Sequence, residues 1–142
     1  MGLFYFKIFY IYSMIKKYKL FLEGKKDKFP NVKKILLDDF VILLGKDAKS
    51  NDYLTFMMAE DEDIWMHVKG FPGSHLVIKI KNSLPTETLI KACAQMAKKN
   101  SKADKEPQVS VVYCKRKFVK KEPGMNDGQV RVDYLNAAEI LV

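Results

Sequence analysis

The stretch from Asp63 to His75, DIWMHVKGFPGSH, holds the only tryptophan and both histidines of the chain. Two imidazoles, the Ser74 hydroxyl and the amides of a glycine-proline turn could serve three chemistries: binding a phosphate or base edge, ligating a metal, or nucleophilic attack. A zinc site would also need Cys93 and Cys114, and neither stands at a ligand spacing, so no metal and no cofactor is expected. A hydrolase would use Ser74 or Cys114 as nucleophile with a histidine as base, yet no nucleophile elbow surrounds either. GFPGSH is not a phosphate-cradling loop, because lysine is missing after its second glycine. Binding without catalysis is the expectation, with Gly73 letting the backbone come close to a ligand.

A second constellation, VYCKRKFVKKEPG, sets Lys115, Arg116, Lys117, Lys120 and Lys121 around Tyr113 and Phe118. Cations interleaved with aromatics combine phosphate attraction with stacking on exposed bases. The same alternation also lets Phe118 face a core while the cations are merely solvated. Charge is segregated along the chain. From Lys98 to Lys121 nine basic residues face only Asp104 and Glu106, whereas from Asp38 to Asp63 eight acids face only Lys46 and Lys49. The excess of +8 and the pI of about 9.4 point to a polyanion, either nucleic acid or an anionic membrane surface.

The elements that must position these residues follow from periodicity. If IWMHV is a strand, Asp63, Trp65 and His67 share one face, and the turn returns His75 on the strand HLVIKI near His67. FVILLGK suits a buried strand. SNDYLTFMMA predicts a short helix capped by Ser50 or Asn51, with Asp52 in its first turn and Leu54, Met57 and Met58 at helical intervals. PTETLIKACAQMAKKN predicts the long helix, capped by Thr86, with Leu89, Ile90, Cys93, Met96 and Ala97 as its apolar stripe. QVSVVY and QVRVDYL predict strands flanking a loop that contains Gly124 and Gly128. The expected fold is a single α+β domain: a mainly antiparallel mixed sheet with one long and one short helix on a face.

At 142 residues the chain fits one domain, read as an extension over 1–34, apolar and then lysine-rich, followed by a folded domain over 35–142. The apolar run from Ile8 to Ile15 is too short to span a membrane, and the start lacks signal-peptide and myristoylation patterns. A start codon at Met14 is favoured over a core strand for this segment. Two cysteines without a framework fit the reducing cytoplasm.

The blocks GKDAKSNDYLT, DIWMHVKGFPGSHLVIKI, SKADKEPQVSVVY, KRKFVKKEPG and GQVRVDYL together resemble the NFACT-R domain, also called DUF814, from about Asp38 to Val142. The pairing of D-x-W-x-H with P-G-S-H is the specific part. The resemblance implies an RNA-binding domain, tRNA included, that is no enzyme by itself. In that family it usually forms the C-terminal part of ribosome quality-control proteins of the RqcH and NEMF type, which bind the large ribosomal subunit carrying a stalled peptidyl-tRNA and support tailing of the nascent chain. Standalone copies also occur. With neither the N-terminal module nor a coiled coil in this sequence, the resemblance implies nucleic-acid binding more strongly than tailing. Three departures stand out: Gly45-Lys46-Asp47 where the family often has Gly-Arg-Asn, Cys114 for a usual Thr, and a proline displaced to Pro123.

The expectation is therefore a cytoplasmic domain for tRNA or ribosomal RNA. Lys115, Arg116, Lys117, Lys120 and Lys121 would meet phosphates, helped by Lys46, Lys69 and Lys102. Trp65, His67, Ser74 and His75 would form a pocket that either stacks a nucleotide or holds the turn in shape. The rival is a membrane-proximal or scaffold module docked by the apolar first fifteen residues and the lysines after them.

Overall fold

The computed structural model describes residues 28–142 together with Lys7 and Ile11. Asp38 and Asp39 both adopt left-handed backbone (φ 48° and 66°), which aspartate tolerates better than most side chains. They close a two-residue hairpin between β1 (Val32–Leu37) and β2 (Phe40–Gly45), with Leu37 opposite Phe40. The remaining sheet strands are β3 (Ile64–Val68), β4 (Leu76–Ile78), β5 (Ser110–Lys115) and β8 (Ala138–Leu141), in the order β1-β2-β4-β3-β5-β8. All of these pairings are antiparallel, in line with the mainly antiparallel sheet expected. A separate two-stranded ladder joins β6 (Val119–Lys120) to β7 (Arg131–Val132).

Two helices cover the sheet, α1 (Ala48–Tyr53) and α2 (Glu87–Lys99). Thr86 caps α2 as expected, its hydroxyl accepting from the Leu89 amide. Leu89, Ile90, Cys93, Ala94 and Ala97 of α2 pack on Ile42, Leu44, Met66, Val68, Leu76 and Ile78. Burying each of the larger aliphatic chains contributes roughly 1.5–3 kcal/mol. The opposite face carries Leu43, Trp65, Val77, Val112 and Cys114, covered by Leu54 and Phe56 from the π-helical turn Leu54–Met58 and by Val119. The helices thus lie on opposite faces rather than on one. A strand buried on both sides has no use for polar alternation, and this is why FVILL reads as an unbroken apolar run.

Several boundaries depart from the sequence reading. Asp47, not Ser50 or Asn51, caps α1 by accepting from the Ser50 amide at 2.8 Å. Ser50, Asn51 and Asp52 are instead buried. The π-helical turn, closed from Ala59 N to Leu54 O, rotates Thr55 and Phe56 inward and leaves Met57 and Met58 half-buried. HLVIKI shortens to Leu76–Ile78, with His75 just before it. QVRVDYL shortens to Arg131–Val132 and then a 3-10 turn over Tyr134–Asn136, which the Asp133 carboxylate caps. The sheet edges β1 and β8 were not anticipated. The division expected after residue 34 falls inside β1. The apolar start and the proposed initiator Met14 lie outside the described residues, apart from Lys7 and Ile11. No helix among the described residues is long and apolar enough to cross a membrane.

Candidate nucleic-acid interface

The DIWMHVKGFPGSH segment forms β3, β4 and their connection, and register places His67 across from His75 beyond the Met66–Leu76 pair. Trp65 and His75 are sealed, at 1% and 2% exposure. The indole Nε1–H donates to Thr55 Oγ1 at 3.1 Å, and Thr55 Oγ1 lies 2.8 Å from His75 Nδ1. His75 Nε2 lies 3.1 Å from the Gly128 carbonyl, which only accepts, so Nε2 carries the proton and Nδ1 accepts from the Thr55 hydroxyl. Burial first, then the facing His67, hold the His75 pKa down at about 3, and the ring stays neutral near pH 7. The His75 amide donates to Asn51 Oδ1 and its carbonyl accepts from the Gly45 amide. With each nitrogen engaged, His75 has no site left to act as a base toward Ser74. Both rings are thus enclosed and hydrogen-bonded within the fold.

Gly73 makes its close approach within the molecule. A Cβ there would stand 2.5 Å from Ser101 Cβ, and Gly73 bridges to Ser101 while its carbonyl accepts from Asn51 Nδ2. The expectation that this glycine clears room for a ligand gives way to a packing reason. Cys114, the other candidate nucleophile, is buried, and desolvation followed by the Asp133 charge pushes its thiol up to about 11. It therefore carries almost no thiolate near neutral pH.

The segregated charge blocks meet each other. Lys115 and Lys117 both pair with Glu62, at 2.9 and 3.0 Å, and depress its pKa through those bonds. Arg116 is 2% exposed, pairs with Asp61, and takes the Asp63 carbonyl with its amide. Lys121 is enclosed too: its ammonium binds Asp52 at 2.8 Å and the carbonyls of Asn126 and Gln129, clamping that loop to α1. Arg116 and Lys121 therefore do not present charge to solvent. Lys120 is exposed, and Lys69 pairs with Glu139 at 3.3 Å while lying over the Tyr134 ring.

Among the described residues the exposed lysines without a carboxylate are spread over the surface, Lys28, Lys33, Lys34, Lys81, Lys91 and Lys120 among them, while Lys46 and Lys102 border one cleft. Among the described residues Lys46 and Lys49, at the start of α1, and Lys99, Lys102 and Lys105, at the end of α2 and just beyond it, are exposed and enter no ion pair. The two groups are stitched together by Lys46 Nζ donating to Asn100 Oδ1 at 2.9 Å. Between them opens a cleft of about 690 Å³ whose walls include Lys46, His67, Ser74, Asn100, Ser101 and Lys102. Asp47 and Asp127 also line it, the first already committed to the α1 cap. Such a cleft can take a polyanion through lysine ammonium groups and hydroxyls without first breaking an ion pair. Lys46, Lys102, Ser74 and His67 of the expected set are brought together here, while Lys115, Lys117 and Lys120 are not part of its walls. The contributions of Asn100 and Ser101 were missed, although Ser101 opens the block SKADKEPQVSVVY.

An antiparallel α+β sheet with a lysine-fringed cleft at one end is the layout of a polyanion-binding domain. Residues 31–133 match the family described as the NFACT protein RNA binding domain, and the chain belongs to that family. It is 44% identical over 92 residues to the Rqc2 homolog RqcH of Bacillus subtilis, covering 65% of this chain and 16% of that protein. Coiled-coil domain-containing protein 25 of Mus musculus is 32% identical over 97 residues, covering 64% of this chain and 46% of that one. The solved C-terminal part of the fibronectin/fibrinogen-binding protein from Streptococcus suis superposes with a TM-score of 0.75 at 32% identity, covering 83% of this chain and 47% of that one. The chain therefore spans about a sixth of the first relative and about half of the other two.

Proposed function

We propose that this domain binds RNA, tRNA or ribosomal RNA, and acts on the large ribosomal subunit in quality control of stalled nascent chains. The observation that carries the proposal is a cleft walled by Lys46 and Lys102, neither of them paired with a carboxylate, while the lysines of the KRK triplet already face acids. Membership of the family and the likeness to the Rqc2 homolog RqcH support RNA as the polyanion and the ribosome as its setting. Lys46 and Lys102 would hold phosphates, with Ser74 and Ser101 adding hydroxyls, and Lys115, Lys117 and Lys120 would form a weaker outer field. Trp65 and His75 serve by fixing the walls.

Ultraviolet crosslinking in cells followed by sequencing of the bound RNA tests this. The expected result is enrichment of tRNA or large-subunit ribosomal RNA, with crosslinked peptides from the Lys46 and Lys102 segments. Reads that merely follow the abundance of cellular RNAs would refute it.

A further inference from the structure

A second hollow, of about 550 Å³, adjoins the lysine-fringed cleft and shares His67, Pro72, Gly128 and Gln129 with it as a common wall. Its chemistry differs. Where the cleft carries ammonium groups and hydroxyls, the hollow is walled by the rings of His67, Phe71 and Tyr134 and by Val130 and Val132. Its volume lies within the range of small-molecule pockets and exceeds what a nucleobase needs.

His67 is the hinge between the two. Its ring lies nearly parallel to the Trp65 indole, centroids 6.0 Å apart, and meets the His75 ring edge-on at 5.4 Å. Both of those neighbours are immobilised by the Thr55 relay, so the imidazole is ordered before any ligand arrives and little entropy remains to be lost on binding. Burial lowers the His67 pKa against a bond to the Gly73 backbone, and the uncharged ring keeps its other nitrogen and a π surface. Those groups suit a heterocycle better than a phosphate. Across the hollow, Tyr134 is 54% exposed, and the Lys69 ammonium stands 5.2 Å from its ring centroid.

Building on the RNA-binding reading, we propose that this hollow takes one unpaired nucleobase against His67 and Tyr134, while the phosphates beside that nucleotide lie at Lys46 and Lys102 in the adjoining cleft. A base inside a duplex has its faces stacked and its edge paired, and it cannot enter. The domain thus selects loops, ends and splayed nucleotides over duplex RNA.

Fluorescence anisotropy of the full chain with three probes tests this: a short mixed-sequence single strand, the same strand with abasic riboses at its central positions, and the strand annealed to its complement. The intact strand is expected to bind about five- to a hundredfold more tightly than the abasic one, the range that stacking of one base spans. Tyr134→Ala, at an exposed position, should lose that preference while binding the abasic strand as the native chain does; Tyr134→Phe should keep it. Equal, salt-sensitive affinity for intact and abasic strands would overturn the base site and leave RNA binding standing. No salt-sensitive binding to any probe would overturn the RNA reading and the base site together.

Discussion

Acid should unfold this domain through His75 well before its carboxylates matter. In the folded chain burial holds the His75 pKa at about 3, against 6.5 for an ordinary solvated imidazole. Between those values the unfolded chain binds a proton that the folded one refuses, so the stability contributed by the neutral ring is complete above pH 6.5 and declines as pH falls toward 3. Each pH unit in that window costs about 1.4 kcal/mol, so moving from pH 7 to pH 5 removes about 2 kcal/mol. The lowered His67 pKa acts in the same direction. That is a large part of the stability of a domain this size. Urea unfolding at pH 7, 6 and 5 measures the loss as a shift in midpoint. His75→Gln is the matched variant, since its amide can accept from Thr55 and donate to Gly128 without titrating; its decline should shrink to what His67 supplies. A native domain equally stable at pH 7 and 5, or a glutamine variant that declines as steeply as the native chain, would refute the burial argument.

Three further outcomes follow from the same packing. Thr55→Val strips the relay from the Trp65 indole and His75 and should cost about 2–4 kcal/mol in urea unfolding, whereas Thr55→Ser keeps both bonds and costs far less. Lys121→Ala removes the ammonium that joins the Asp52 carboxylate to the Asn126 and Gln129 carbonyls and should cost about 1–3 kcal/mol, with faster amide exchange over residues 126–129 as the released loop opens. Gly73→Ala drives a Cβ into Ser101 and should cost about 1–3 kcal/mol while weakening RNA binding, because the cleft wall shifts; differential scanning calorimetry and anisotropy separate the two effects.

What was legible in the sequence tracks what is local. The α2 cap at Thr86, its apolar stripe and the strand IWMHV rest on spacing within one element, and the sequence reading of each agrees with the structure. The α1 boundary failed because Ser50, Asn51 and Asp52 look like cap residues but are consumed by distant partners: Asn31 N, the Gly73 and His75 backbone, and Lys121. β8 was missed because its sequence AEIL is short and its side chains are mostly exposed, as suits a sheet edge. The candidate site was half legible. A run of basic residues reveals that charge exists, yet only the fold reveals which cations already have acids. Glu62 and Asp61 lie more than fifty positions from the triplet they neutralise, while Lys46 and Lys102 are left to face solvent at one cleft.

In this reading RNA is held by Lys46 and Lys102 of the cleft more than by the acid-paired Lys115 and Lys117. The most direct test is a salt titration of affinity for a single-stranded RNA probe, comparing Lys46→Ala/Lys102→Ala with Lys115→Ala/Lys117→Ala. The first pair is expected to lower affinity and flatten the logarithmic salt dependence by about 1.4, two phosphate contacts at roughly 0.7 each, while the second pair changes it by less than half of that. The reverse order, with the triplet variant flattening the slope and the cleft variant leaving it intact, would contradict the account.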